Sequence, residues 1–230
     1  SEAQRIEQEM REEIAYILSR EKEDSKKKAC VLTTMLRARQ RIEILKVPAM
    51  VELTQDAVVQ GLSVALFVNF DATVNALLAR LGTDCALRGG QSDKERAAHV
   101  EAFQQDRARE IVCNMMAASE SVGLHGSPVS RMRMSIICPP TSARRLKQAK
   151  GRVHRVRGAK SLQRFFFARS TIEETVRRKV DMKIGNIDAL NDGDLRTDTE
   201  EEVFRMLKMN SLESTLPPII RDWQTGPRDC

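Results

Sequence analysis

Five short apolar runs, each separated from the next by a stretch with helical spacing, constrain the fold of this chain more than any other feature. They fall at residues 64–69, 84–87, 110–115, 134–138 and 163–168. Strands that alternate with helices become parallel neighbours, because each crossover returns the chain to the same end of the sheet. Between the runs, Asp71 is placed to cap a helix carrying Val74, Leu77, Leu78 and Leu81 on one face. Ser92 and Glu95 have capping-box spacing for a helix reaching Phe103. Thr171 and Glu174 repeat that spacing ahead of Ile172, Val176, Val180 and Ile184 at four-residue steps. Upstream lies an amphipathic helix with Ile6, Met10, Ile14, Ile17 and Leu18 on one side and no evident partner. Two further helices are predicted over residues 31–46 and from Pro48 to about residue 60, bracing the first strand.

A chain of 230 residues accommodates one sizeable α/β domain with appendages. Residues 1–28 read as an amphipathic helix and a charged connector, 29–190 as the domain, and 191–230 as a C-terminal extension. That extension holds a last helix near residues 200–210, with Val203, Met206, Leu207 and Asn210 aligned, and an irregular tail with Pro217, Pro218 and Trp223. Aromatics make up 4% of the chain, so the core is expected to be aliphatic and methionine-rich. The five cysteines, Cys30, Cys85, Cys113, Cys138 and Cys230, include no C-x-x-C pair, which points away from zinc and toward a reducing, intracellular compartment. No apolar run is long enough for a bilayer, and no secretory leader opens the sequence.

The formal charge of +6 is unevenly spread. Between Arg144 and Arg169 there are ten Lys or Arg residues and no acid. Within this stretch, Gln148-Ala149-Lys150-Gly151-Arg152-Val153-His154-Arg155 sets an amide and two guanidiniums at helical steps along one stripe. Two planar, permanently charged forks on one face suit a phosphate that gains charge during transfer, and Gly151 admits close approach of another backbone. By itself the run suits an exposed basic helix equally well.

Four other blocks stand in order around it. The octapeptide resembles motif VI, Q-x-x-G-R-x-x-R, of superfamily 2 helicases and translocases, and its His before the second Arg is most similar to the Swi/Snf-type branch. Val64-Ala65-Leu66-Phe67-Val68-Asn69-Phe70 resembles motif IV. Leu87-Arg88-Gly89-Gly90-Gln91-Ser92, with Glu95, Arg96 and Phe103, is similar to segment IVa. Ser121-Val122-Gly123-Leu124-His125 resembles motif V, and Thr171-Ile172-Glu173-Glu174 matches the T-I-E-E that follows motif VI in Swi/Snf-type proteins.

The resemblance implies a RecA-like α/β fold, a parallel sheet sandwiched by helices with extra helices at both termini, forming the second of two motor lobes. It implies Arg155 as arginine finger and Arg152 as a second phosphate contact. Gln148, Gly151 and Gly123 would lie at the nucleotide. Asn69, Arg88, Gly90, Gln91, Ser92 and Ser119 would touch a nucleic-acid backbone, with double-stranded DNA the partner and a nucleus, nucleoid or viral factory the setting. Glu120, Ser121, His125 and Arg157-Gly158 depart from the Swi/Snf-type pattern and mark a divergent member. The sequence has no Gly-Lys and no Asp-Glu dipeptide, so the Walker A loop and the acidic box are both absent. ATP and Mg²⁺ would then be held mainly by an N-terminal lobe outside this chain, and this lobe alone would be inactive. An RNA or strand-separating helicase shares nearly every residue named, and a non-catalytic nucleic-acid-binding domain is the third reading.

Overall fold

The computed structural model describes residues 1–20, 24–117, 123–126, 130–153 and 161–190. Three helices come first: α1 (Glu2–Arg20), α2 (Asp24–Leu45) and α3 (Val47–Val59). Then β1 (Ser63–Val68), α4 (Asp71–Leu81), β2 (Ala86–Leu87), α5 (Asp93–Gln104), β3 (Glu110–Asn114), β4 (Arg133–Ile137), α6 (Ala143–Val153), β5 (Ser161–Phe165) and α7 (Ile172–Leu190) follow. The five strands form one parallel sheet in the order β2-β3-β1-β4-β5. Their period of two divides the core. Val64, Leu66, Val68, Val112, Met134 and Ile136 face α3 and α4, whereas Ala65, Phe67, Ile111, Cys113 and Ile137 meet residues of α1, α2, α5, α6 and α7. Both faces are covered, as parallel strands require.

Several elements depart from the sequence reading for identifiable reasons. The Lys-rich run expected as a connector is helical from Asp24, since lysine favours helix once a nucleus exists. Strand β2 shrinks to two residues, as edge strands do. Strand β5 begins two residues early, because its register runs from Ser161 opposite Arg133 to Phe165 opposite Ile137, which leaves Phe166 in the loop over the strand tips. The Ser92–Glu95 capping box forms reciprocally. The one expected at Thr171 does not: Ser170 adopts φ +58, and it is the Ser170 N–H that reaches the Glu174 carboxylate, at 2.8 Å. The expected helix near 200–210 and the tail beyond it lie outside the described residues.

Helix α2 supplies the interaction that fixes the carboxyl ends of the strands. The Lys46 ammonium, just past its end, donates to both oxygens of Glu173 at 2.7 and 2.9 Å and to the Phe166 carbonyl at 3.2 Å. Glu43, fully buried, accepts from the Asn69 N–H at 2.9 Å, the Asn69 side-chain amide at 2.7 Å and the Phe70 N–H at 3.2 Å. It thereby caps α4 from a neighbouring helix, in place of the expected Asp71. Asp71 instead accepts from the Asn114 amide at 2.7 Å. Arg39 donates to the Pro139 carbonyl at 2.9 Å. Helix α1 finds its partner here too. Ile6 and Met10 join the α2 core, and Glu7 accepts the Ile172 N–H at the start of α7, at 2.9 Å.

At the opposite end of the sheet, Arg133 is fully buried. It pairs with Asp106 at 2.5 Å, donates to the Gln104 carbonyl at 3.1 Å and lies 4.6 Å above the Phe103 ring. Asp106 has φ +57, which aspartate tolerates better than most residues. Burial pushes its carboxyl up, but the Arg131 N–H and the Arg133 guanidinium outweigh that and hold it below the usual carboxylate range.

Two outcomes are expected. Glu173→Leu strands a buried ammonium and costs about 3–5 kcal/mol. Adding Lys46→Met recovers part of that, while the Ala168 N–H, which donates to Glu173 at 2.9 Å, stays unpaired at a cost of about 1–3 kcal/mol. Urea denaturation of both variants checks this; a Glu173→Leu loss under about 1 kcal/mol contradicts it. Because the Asp106 carboxyl is depressed, its stabilisation is complete above the unfolded value of about 3.9 and is lost as pH falls through the folded value. Thermal melts of Asp106→Asn should show lower stability at neutral pH and a flatter acid limb than wild type.

Candidate nucleotide and nucleic-acid site

Helix α6 carries the Q-x-x-G-R segment. Its inward face is Ala143, Leu146, Ala149 and Val153, and Arg144, Lys147 and Gly151 are exposed on the opposite side. Gln148 is half-buried at the flank. Arg152 sits three residues beyond Ala149, next to the inward face, and is 8% exposed. Its charge is felt at Cys113 on β3. Burial pushes that thiol up, and Arg152 draws it part of the way back. The guanidinium expected on an open phosphate-binding stripe is therefore largely covered by the lobe itself. Among the described residues, nothing beyond its own helix lies within 4 Å of where a Cβ on Gly151 would stand. Arg155 and the neighbouring His154 lie outside the described residues.

The segment before β4 meets α6 through the backbone. The Leu124 N–H donates to the Arg152 carbonyl at 2.9 Å, and Leu124 is fully buried. Gln104, at the end of α5, donates its amide to the Gly123 carbonyl at 2.7 Å. Gly123 is needed here for space: a Cβ would stand 2.7 Å from the His125 ring. Gly123 and Leu124 are thus held between α5, the His125 ring and the end of α6. Ser119, Glu120 and Ser121 lie outside the described residues.

The other candidates gather at the carboxyl ends of β1 and β2, where open parallel sheets place ligands. The Asn69 amide is spent internally, donating to Glu43 at 2.7 Å and to the Pro139 carbonyl at 3.2 Å. Gln91 accepts from the Arg88 N–H at 2.9 Å and donates to the Ala86 carbonyl at 3.0 Å, closing the loop after β2. Gly90 turns that loop with φ +80, a conformation that favours glycine. The Ser92 hydroxyl and N–H both engage Glu95, at 2.8 Å each. Arg88 is exposed and bonds the Asn75 side chain at 3.0 Å. Sequence reasoning brought these residues to one edge, but missed Glu43, Arg39 and Lys46. Their only local signal is an acid and two bases on the polar positions of a helix, and their partners stand 26 to 127 residues away.

No family model matches the chain. It is 38% identical over 189 residues to the "Putative ATP-dependent RNA helicase" of Acanthamoeba polyphaga mimivirus, a stretch covering 80% of this chain and 35% of that protein. The chain thus spans about a third of that relative's length. In structure it is similar to the C-terminal part of the Fun30 ATPase domain, with TM-score 0.56 and 18% identity over 73% of this chain and 54% of that one. Among the described residues no helix is long and apolar enough to cross a membrane. The five-stranded parallel sheet between helices is the RecA-like α/β fold of helicase ATPase domains.

Proposed function

We propose that this chain is the second RecA-like lobe of an ATP-dependent nucleic-acid motor, completing a nucleotide site whose phosphate loop and metal-binding acids belong to another lobe. The observation that carries this reading is the 2.9 Å bond from the Leu124 N–H to the Arg152 carbonyl. It joins the G-L-H and Q-x-x-G-R segments, which the helicase pattern assigns to one nucleotide edge. The similarity to the mimivirus helicase over most of this chain supports the same reading.

In the proposed arrangement Arg155 is the arginine finger and Arg152 the second phosphate contact. Held at 8% exposure, Arg152 is fixed before nucleotide arrives, and a preorganised charge costs no reorganisation when the phosphate gains charge. Gln148 flanks it on α6, and the bare Gly151 gives the other lobe room to approach. ATP is the substrate and Mg²⁺ its companion, neutralising the phosphates from the opposite wall. Arg88 and the backbone of the loops after β1 and β2 face the nucleic acid, together with Gly90 and, beyond the described residues, Ser119. Asn69, Gln91 and Ser92 serve there by holding loop geometry, since their side chains are bonded within the lobe.

Double-stranded DNA is our proposed track, because the T-I-E-E sequence at residues 171–174 matches the Swi/Snf-type pattern. RNA is the second reading, favoured by the description of the mimivirus relative. The test is ATP hydrolysis by a protein containing both lobes. Arg155→Ala is expected to lower turnover by about 10³ or more while the fold is retained. Duplex DNA is expected to stimulate more than RNA of equal length. Wild-type turnover in the variant rejects the arginine finger, and stimulation by RNA alone replaces the duplex reading with the RNA one.

A further inference from the structure

The loop that follows β1 is held by a residue that lies outside every block of this sequence that resembles a helicase motif. Glu43 is fully buried, and its carboxylate takes three donors of that loop: the Asn69 N–H, the Asn69 amide and the Phe70 N–H. Phe70 is the N-cap of α4 and offers no side-chain cap of its own, and its N–H at the helix entrance depends on a charge from α2. Around it α2 and Lys46, just past its end, pin the neighbouring tips. Arg39 donates to the Pro139 carbonyl after β4, and Lys46 donates to the Phe166 carbonyl after β5 and to Glu173 at the start of α7. Three loops at the carboxyl end of the sheet are thereby set by α2 and the residue just past its end, which precede the sheet in the chain.

We propose that Glu43 is a positioning residue for nucleic-acid binding: by holding Asn69 and capping α4 from α2, it fixes the backbone of residues 69–71 in the geometry that meets a strand. This rests on the proposed function above, since it assumes that the carboxyl end of the sheet faces nucleic acid. The chemistry favours positioning over contact. A buried carboxylate facing a phosphate would repel it, whereas the same carboxylate turned inward on three N–H donors orients the loop and contributes no charge at the surface. A glutamine at this place keeps one acceptor and turns an NH₂ toward the Asn69 amide, donor against donor, so the loop must reorganise.

The test uses the 230-residue chain and fluorescently labelled duplex DNA and RNA of equal length, with binding followed by anisotropy across a salt series. For wild type, binding that weakens steeply with salt is expected. Glu43→Gln should raise Kd about tenfold at every salt concentration, the equivalent of one lost hydrogen bond to a charged group, with the slope of log Kd against log salt unchanged. An unchanged slope is the signature of positioning, because no phosphate-bound cation is lost. Glu43→Asp, which keeps the charge on a shorter arm, should fall between the two and serves in place of Glu43→Gln if that variant does not fold. A Kd unchanged well below the melting temperature, with only the melting temperature lowered, shows a merely structural role and overturns the proposal. A slope reduced by about one unit overturns it as well, since it means that a phosphate contact was removed. If wild type binds neither nucleic acid, the functional reading falls first and the positioning role with it; if wild type binds and the variants match it, only the positioning role falls.

Discussion

A buried charge network carried by α2 and Lys46, just past its end, organises this lobe. Arg39, Glu43 and Lys46 stand at 6%, 0% and 7% exposure, and every bond they make to the sheet lands on a loop at its carboxyl end. Charges taken out of water are costly unless partners satisfy them, so the bonds of Glu43 and Lys46 hold α2 in its seat on the sheet and the loops beneath it. Burial opposes the charged form of Lys46, yet the Glu173 and Glu43 carboxylates beside it outweigh that and hold the ammonium above its ordinary value. Cys138 shows the converse. Its thiol, enclosed at the same place, is pushed well up by burial despite the nearby ammonium, and stays uncharged.

The two ends of the sheet are finished differently, and the difference bears on function. At the amino end Arg133, Asp106 and Gln104 form a closed knot against the Phe103 ring, and Gln104 extends it by its bond to the Gly123 carbonyl. From Gly123 the clamp runs through Leu124 to the backbone of Arg152. In the proposed motor this continuous path connects the amino-end knot to the nucleotide edge, while the carboxyl-end network of α2 governs the nucleic-acid edge. A lobe with both edges rigidly tied to one sheet moves as a body, which is what closure around ATP requires of it.

How much of this was legible depends on the range of the interaction. The presence of five parallel strands follows from local apolarity, and the Ser92–Glu95 box from a three-residue spacing; the sheet and the box both form, with the bounds of β2 and β5 displaced. Strand β5 was misplaced because three consecutive phenylalanines, Phe165 to Phe167, outweigh in apolarity the weaker segment at Ser161 that pairs with β4. The box at Thr171 slipped by one residue because Ser170 takes a positive φ that no pattern announced. The resemblance gives Asn69 as a contact to a nucleic-acid backbone at a strand end, whereas its side chain is bonded within the lobe. Its actual partner, Glu43, lies 26 residues upstream on a helix read only as a brace. Arg152 shows the same limit: a helical stripe places it beside Gln148, but the packing of α6 on the sheet decides which way that stripe faces.

The proposed motor depends on guanidiniums of this lobe meeting a nucleotide held by another. The most direct measurement is a structure of a two-lobed protein containing this chain, closed on a non-hydrolysable ATP analogue with Mg²⁺. The Arg155 guanidinium is expected at hydrogen-bond distance, about 3 Å, from a γ-phosphate oxygen, with Arg152 beside it. A closed nucleotide complex in which both guanidiniums stay bonded within their own lobe, away from the phosphates, would contradict it.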